Sequence, residues 1–175
     1  MEIENLRLEV LIDREKIAKR VKELAEEISK DFENEDPLMI GILNGAFIFM
    51  ADLVREMKVP VEVEFIRVKS YCGTNTTGCV EVLLDVPECV KGKNVVIVED
   101  IVDTGITMNY LLNRVKNKGA KSVKVCALLD KPSRRIVDIK PDYVGFEIPD
   151  YFVVGYGLDY NGKYRELPDI CVVKN

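Results

Sequence analysis

The sequence predicts an α/β fold with a central, mostly parallel β-sheet flanked by helices. Two short apolar runs, residues 38–43 and 93–98, have the length and the Val, Ile and Leu content of strands buried on both faces. Segments with a helical spacing of apolar residues, such as residues 106–118, lie between such runs. Strands that alternate with helices pair in parallel, and a parallel sheet binds ligands at the carboxyl ends of its strands.

The first long helix has a clear pattern. Its apolar residues recur on one helical face, at Ile17, Val21, Leu24 and Ile28, and Asp13 is a candidate N-cap. The other elements follow from similar patterns. In chain order we predict strand 8–12, a helix to about residue 32, strand 38–43, helix 46–57, strand 61–68, a mobile loop 70–79, strand 80–84, strand 93–98, helix 106–118, strand 123–129, and short strands 143–146, 153–155 and 170–173.

The composition is that of a single folded domain spanning residues 1–175. The net charge of −5 argues against binding to nucleic acid or to an anionic membrane, and no apolar run has the length of a membrane span. The absence of histidine excludes Ser-His and Cys-His nucleophiles and the usual zinc sites. Five cysteines without metal-ligand spacing, and an N-terminus without a signal-peptide layout, predict a protein of the cytoplasm.

Residues 94–107 carry the strongest functional pattern. An apolar strand runs into two adjacent acids, Glu99 and Asp100, and a third acid, Asp103, precedes a Thr-Gly-Ile-Thr turn at the start of a helix. The turn offers backbone N–H groups and two hydroxyls to a phosphate, and the acids beside it suit sugar hydroxyls or a metal. The same pattern also fits the plain edge of a parallel sheet, with Asp103 as a helix cap.

The complete string resembles the phosphoribosyl pyrophosphate signature of the type I phosphoribosyltransferases: four apolar residues, two acids, two apolar residues and Asp-Thr-Gly-x-Thr. Further segments resemble the hypoxanthine (hypoxanthine-guanine) branch of that family and occur in its order: Leu43–Phe47, Lys69–Tyr71, Leu129–Pro132, Phe146–Tyr160 and Arg165. The resemblance implies the type I phosphoribosyltransferase fold, with a flexible lid at about residues 70–85 and a purine-binding hood that includes residues 146–175.

The resemblance also implies the reaction and the roles of residues in this string. The reaction is transfer of 5-phosphoribosyl from phosphoribosyl pyrophosphate to N9 of a 6-oxopurine, with release of pyrophosphate and a requirement for Mg²⁺. Glu99 and Asp100 would contact the ribose hydroxyls and Mg²⁺, and Asp103 would contact the phosphoribosyl group and act as the general base for the N7 proton. The 5′-phosphate would be bound by the turn, Thr104, Gly105, Ile106 and Thr107.

Two further groups of residues would complete the site. A non-proline cis peptide is expected in the tight loop at Asn44-Gly45. The purine would be bound by Lys131 at O6, by stacking on Phe152, by the backbone of Val153, and by Asp159, which would also lie near the metal. The pyrophosphate would be bound by Asn44, Gly45, Ser70, Tyr71 and Arg165.

Three positions depart from the most familiar pattern of the family. Asn44, Ile106 and Tyr151 stand where lysine is often found. Together they remove up to three positive charges from an anion-binding site. We expect these departures to act on affinity for phosphoribosyl pyrophosphate and on the choice of base, rather than on the class of reaction.

Other functions share this fold. A regulatory protein that senses phosphoribosyl pyrophosphate and binds RNA or DNA needs a basic face or an added domain, whereas this chain is acidic. An enzyme acting on xanthine or on a pyrimidine is a further alternative, although residues 146–160 favour a purine. The preferred 6-oxopurine stays open, because single hydrogen bonds at position 2 decide it. The resemblance suggests a homodimer or homotetramer.

Overall fold

A computed structural model describes residues 6–71 and 79–174, which form two β-sheets and the helices that cover them. Two short 3₁₀ helices, Glu88–Val90 and Pro132–Arg134, follow the fourth and sixth strands. The strands and α-helices are β1 Arg7–Ile12, α1 Arg14–Asp31, β2 Leu38–Leu43, α2 Phe47–Glu56, β3 Glu62–Tyr71, β4 Cys79–Leu84, β5 Asn94–Val102, α3 Ile106–Asn117, β6 Ser122–Asp130, β7 Tyr143–Glu147, β8 Val153–Val154 and β9 Ile170–Lys174.

The larger sheet has the strand order β4-β3-β2-β5-β6-β7. Its strands are parallel except β4, which pairs antiparallel with β3 at one edge. β5 lies between β2 and β6, and its residues Val95–Val98 are fully buried. The predicted α/β class is confirmed. The carboxyl ends of the parallel strands meet at one edge of the sheet, where ligands are expected.

Helices cover both faces of this sheet. Alternate residues of a strand point to opposite faces, so the apolar side chains on each face need a layer of helices to bury them. α1 and α2 pack on one face, and α3 packs on the other. In β5, Val96 and Val98 belong to the first core, while Val95 and Ile97 belong to the second. A strand that is buried on both faces forms an unbroken apolar run in the sequence, and such a run predicts a buried strand of a parallel sheet.

α1 begins at its predicted cap. The side chain of Asp13 accepts a hydrogen bond from the backbone N–H of Lys16 at 2.9 Å. The predicted apolar face is buried, at Ile17, Val21, Leu24 and Ile28. Within the described ranges, no helix combines the length and the apolar character that crossing a membrane requires.

The smaller sheet joins the two ends of the described chain. β1 pairs antiparallel with β9, and β9 pairs antiparallel with β8. We call this sheet, together with residues 148–169 beside and between its strands, the hood. Residues 146 and 147 of the predicted hood lie in β7, which pairs with β6 as the last strand of the larger sheet.

The predicted loop at residues 70–79 is shorter in the structure. Ser70 and Tyr71 continue β3 and pair with the first residues of β4. The prediction was wrong at these positions because a strand is extended by pairing with its neighbour, and local composition does not reveal that pairing. Residues 72–78 of the predicted loop lie outside the described residues.

Two phenylalanines of α2 test the placement of this helix. Phe49 is fully buried, whereas Phe47 is 44% exposed. We expect Phe49→Ala to lower the free energy of unfolding by about 3–5 kcal/mol, because it leaves a cavity in the core. Phe47→Ala should change that free energy by no more than about 0.5 kcal/mol. Urea unfolding followed by circular dichroism measures both, and equal losses would contradict the assigned helix face.

Candidate active site

A cleft of about 710 Å³ lies at the carboxyl ends of β2, β3 and β5. Its lining comes from segments far apart in the sequence. Residues that were not predicted contribute to it as well, among them Cys79, Arg134 and Ile136. The predicted residues that the structure brings together in this lining are Gly45, Ser70, Glu99, Asp100, Asp103, Thr104, Gly105, Ile106, Thr107, Asp159 and Arg165.

The two adjacent acids at the end of β5 have different environments. Glu99 is buried, and its Oε1 accepts a hydrogen bond from the N–H of Asp100 at 3.0 Å. Asp100 is half-buried and accepts from the N–H of Ile101 at 2.7 Å. Burial, followed by the nearby negative charge of Asp100, raises the pKa of Glu99 well above its ordinary value of 4.5. A cation beside the pair would relieve the repulsion between the two carboxylates.

The loop after β2 contacts this acid pair. The expected non-proline cis peptide is present between Leu43 and Asn44. A β-carbon at Gly45 would lie 1.8 Å from Oδ2 of Asp100, so a glycine is needed for the loop to approach the carboxylate this closely. Asn44 is exposed and lies outside the described set of cleft-lining residues.

The turn between β5 and α3 has the form of an anion site. Gly105 has a left-handed φ of 86°, and α3 begins at Ile106. The first helical hydrogen bond runs from the N–H of Asn109 to the carbonyl of Gly105 at 2.9 Å, so the preceding N–H groups come before the helical ladder. The N-cap residue Gly105 has no side chain to cap the helix start, although Oγ1 of Thr104 accepts a long hydrogen bond from the N–H of Ile106 at 3.4 Å. The first turn of α3 has no acidic residue. These donors and the hydroxyls of Thr104 and Thr107 suit a phosphate.

Asp103 contacts two arginines that the sequence analysis did not single out. Nε of Arg134 donates to Oδ1 of Asp103 at 2.9 Å, and Nη1 of Arg135 donates to the backbone carbonyl of Asp103 at 2.7 Å. Arg135 also pairs with the buried Asp130. In the sequence, these two arginines are recognisable only as adjacent basic residues after a strand. Such residues usually lie on the protein surface without a specific role.

Two predicted residues reach the cleft from the hood. Nη2 of Arg165 lies 3.3 Å from Oδ1 of Asp159, and Nη1 of Arg165 donates to the carbonyl of Gly157 at 2.6 Å. Gly157 packs so closely on the loop after β2 that a β-carbon there would lie 2.3 Å from the carbonyl oxygen of Gly45. These contacts hold the hood against the loop that also faces the acid pair.

The other predicted purine-binding residues lie outside the described cleft lining. Lys131 is buried after β6, with Nζ 3.7 Å from Oδ1 of Asp150. Phe152 is 53% exposed, and its ring meets that of Tyr160 edge-on with centroids 5.7 Å apart. Val153 is buried in β8. Phe152 is therefore not a core aromatic but an exposed apolar ring on the hood.

The three predicted metal-binding acids do not form one cluster. Among the described residues there is no group of three or more carboxylate, thiol or imidazole side chains suited to a metal. Asp159 pairs with Arg165, while Glu99 and Asp100 remain adjacent. A cation at the Glu99–Asp100 pair would take its remaining ligands from substrate and water, which is typical of Mg²⁺.

The three positions that depart from the lysine pattern differ in placement. Ile106 lines the cleft. Asn44 and Tyr151 are exposed, and Nζ of Lys174 lies 5.8 Å from the centre of the Tyr151 ring. Of these three positions, Ile106 alone belongs to the described cleft lining.

Comparison with known proteins identifies the family. The model of the phosphoribosyl transferase domain matches residues 9–161. The chain belongs to the phosphoribosyl transferase family. A hypoxanthine-guanine phosphoribosyltransferase of Bacillus subtilis (strain 168) is 48% identical over 166 residues, which cover 94% of this chain and 92% of that protein. The family resemblance read from the sequence is confirmed.

Solved structures of phosphoribosyl transferases share the fold. A hypoxanthine-guanine phosphoribosyltransferase from Bacillus anthracis, with a HEPES molecule in its active site, has a TM-score of 0.92 and 46% identity over 97% of this chain and 100% of that chain. A hypoxanthine phosphoribosyltransferase from Staphylococcus aureus has a TM-score of 0.91 and 39% identity over 99% of this chain and 97% of that chain. The predicted type I phosphoribosyltransferase fold is confirmed.

The raised pKa of Glu99 predicts a pH dependence of stability. Between the ordinary value of 4.5 and the raised value, the folded protein binds one more proton at Glu99 than the unfolded chain, so this group makes the free energy of unfolding fall as pH rises. In Glu99→Gln this contribution is absent. Urea unfolding from about pH 5 to about pH 8 should therefore show a smaller decline for the variant. Parallel curves would contradict the assignment, and Glu147→Gln, an exposed site at the end of β7, is the control.

Proposed function

We propose that this phosphoribosyl transferase acts in purine salvage, transferring 5-phosphoribosyl from phosphoribosyl pyrophosphate to N9 of hypoxanthine, guanine or both. The products are IMP or GMP, and pyrophosphate. The observation that carries the proposal is the convergence of the acid pair, the helix-start turn and the Asp159–Arg165 pair on one cleft. A relative at 48% identity and a structural neighbour at 39% identity are named for hypoxanthine-guanine and hypoxanthine phosphoribosyl transfer.

The 5′-phosphate would bind at the start of α3. The positive end of the helix dipole and the N–H groups before the first helical bond favour an anion there. The hydroxyls of Thr104 and Thr107 add donors, Gly105 allows close approach, and Ile106 contributes its backbone alone. With the phosphate in this turn, the ribose hydroxyls would lie toward Glu99 and Asp100.

The acid pair would also hold Mg²⁺. Two adjacent carboxylates, one of them buried with a raised pKa, fit a hard divalent cation that keeps substrate oxygens and water as its other ligands. When bound, Mg²⁺ would neutralise charge on the pyrophosphate. Asp159 is paired with Arg165, and it would act near the purine 2-position and a metal-bound water rather than as a direct member of the pair.

The pyrophosphate would lie between the loop after β2 and the hood. Arg165 offers a planar fork of donors and is held in place by Gly157 and Asp159. Gly45 lines the same part of the cleft, with Asn44 beside it. Ser70 lines the cleft from the end of β3, with Tyr71 following it along the strand.

The purine would bind against the hood. The exposed ring of Phe152 suits stacking on the base, and the backbone of Val153 suits pairing with the ring edge. Lys131, buried with its Nζ 3.7 Å from Oδ1 of Asp150, would donate to O6. A 6-oxopurine satisfies this donor, whereas a 6-aminopurine leaves it facing another donor.

In the reaction, the bond between C1′ and the pyrophosphate oxygen breaks, and the bond between C1′ and N9 forms. The N7 proton passes to the carboxylate of Asp103, and the leaving pyrophosphate takes the bonding electron pair. A carboxylate is a weak base, so most of the acceleration comes from positioning and from stabilising the oxocarbenium-like centre and the leaving group.

A spectrophotometric assay tests the proposed reaction. With phosphoribosyl pyrophosphate and Mg²⁺, we expect turnover of hypoxanthine or guanine and none of adenine or uracil. In Asp103→Asn, kcat should fall by about 10²–10⁴-fold because the general base is lost, while phosphoribosyl pyrophosphate still binds. Asp138→Asn, an exposed acid, is the control. Binding of phosphoribosyl pyrophosphate without turnover of any base would favour a regulatory protein, and RNA binding would be measured next.

We propose that the chain assembles as a homodimer or homotetramer. Four exposed apolar side chains lie on β3 and β4, at the edge of the larger sheet, and exposed apolar groups in such numbers favour association; they are Val63, Phe65, Leu83 and Leu84. We expect light scattering to give two or four times the chain mass of 19.9 kDa. Val63→Asp should shift the mass toward one chain, whereas Val10→Asp on β1 should not. A wild-type mass of one chain at micromolar concentration would rule the proposal out.

We also place the protein in the cytoplasm, which its thiols support. Cys79, Cys89, Cys126 and Cys171 are free cysteines. Burial raises the pKa of the Cys126 and Cys171 thiols, which makes them small apolar groups rather than reactive ones.

A further inference from the structure

A chain of alternating charges connects Asp103 to Lys131. Nε of Arg134 donates to Oδ1 of Asp103 at 2.9 Å, and Nη1 of Arg134 lies 3.4 Å from Oδ2 of Asp150. The other oxygen of Asp150, Oδ1, lies 3.7 Å from Nζ of Lys131. Arg134 thus stands between the two carboxylates, and these raise the pKa of its guanidinium above the usual value, the bond to Asp103 most of all.

The members of this chain come from the ends of three neighbouring strands. Asp103 follows β5, Arg134 follows β6, and Asp150 follows β7. The next residue, Arg135, holds the backbone carbonyl of Asp103 and is itself anchored by the buried Asp130. One arginine therefore fixes the main chain of Asp103, and its neighbour fixes the side chain.

We propose that Arg134 is a positioning residue for phosphoribosyl transfer: it holds one carboxylate oxygen of Asp103 so that the other faces the N7–H of the purine. This inference rests on the proposed function. N7 and O6 lie on the same edge of a 6-oxopurine, so Asp103 and Lys131 must be spaced to meet neighbouring atoms. The link through Arg134 and Asp150 sets that spacing before the base arrives.

The solvent exposure of Arg134 and Asp103 distinguishes a positioning role of Arg134 from a role in stabilising the fold. The side chains of Arg134 and Asp103 are 47% and 40% exposed, and exposed ion pairs contribute little to folding. Orientation of a catalytic group matters far more, since a displacement of about 1 Å can cost about 10²-fold in rate. Loss of Arg134 should therefore leave the fold intact and lower kcat.

The test compares wild type, Arg134→Gln, Arg134→Lys and the control Arg14→Gln, which removes an exposed ion pair with Asp169 outside the cleft lining. Steady-state kinetics are measured with phosphoribosyl pyrophosphate, Mg²⁺ and either hypoxanthine or guanine. We expect Arg134→Gln to lower kcat by about 10–100-fold with both bases, which share the N7–O6 edge, and to leave KM for phosphoribosyl pyrophosphate within about twofold. Arg134→Lys should recover part of kcat, since it restores the cation without the fork, and Arg14→Gln should match wild type.

A double variant identifies the partner of Arg134. In the Asp103→Asn background, Arg134→Gln should cause no further loss of kcat, because groups that act as a unit are not additive. An additional loss of the same size in that background would overturn the inference, and so would an unchanged kcat in Arg134→Gln alone. If Arg134→Gln fails to fold, Arg134→Lys decides, with wild-type kcat overturning the inference. Absence of turnover by wild type with every purine would instead overturn the proposed function, and this inference with it.

Discussion

The burial of Glu99 beside Asp100 at the end of β5 is the constraint on which the rest of the site depends. Strands flank β5 on both sides and helices cover both of its faces, so a carboxylate at its end is shielded from water. A buried charge needs a partner of opposite sign. The neighbouring loop leaves room for a cation beside the acid pair, because it brings Gly45 rather than a larger residue against Asp100. The positive end of α3 faces the same cleft and favours an anion. Such a site favours a cation and an anion together over either one alone.

The acid that would accept a proton is kept apart from this pair. Asp103 is partly exposed and held by two arginines, whereas Glu99 is buried against another acid. The end of β5 therefore carries carboxylates in two electrostatic environments. Because these environments differ, neighbouring acids can have different chemical roles. The hood adds the third environment, in which Asp159 is compensated by Arg165.

The sequence predicted the elements whose signals are local. The apolar run of β5, the cap at Asp13 and the acid–turn string each lie within a few consecutive residues, so their patterns survive without knowledge of the fold. Contacts between distant segments were not accessible in this way. The strand at Ser70 depends on pairing with β4, and the bond from Arg134 to Asp103 spans 31 positions along the chain. The hood, which pairs β1 with β9, was anticipated only through resemblance to a family. The roles of the individual cleft residues stay predictions.

The pairing of β1 with β9 also determines the order in which the molecule is completed on the ribosome. The larger sheet ends at Glu147, so the turn before α3 and the strands that support it emerge first. The middle strand of the hood, β9, is translated last of the described strands, and β1 must wait for it with its hydrogen-bonding edge open. At a synthesis rate of about 5–20 residues per second, that interval is on the order of ten seconds or more. A nascent chain therefore carries most of the cleft lining, and an unpaired strand open to chaperones, well before the hood is complete.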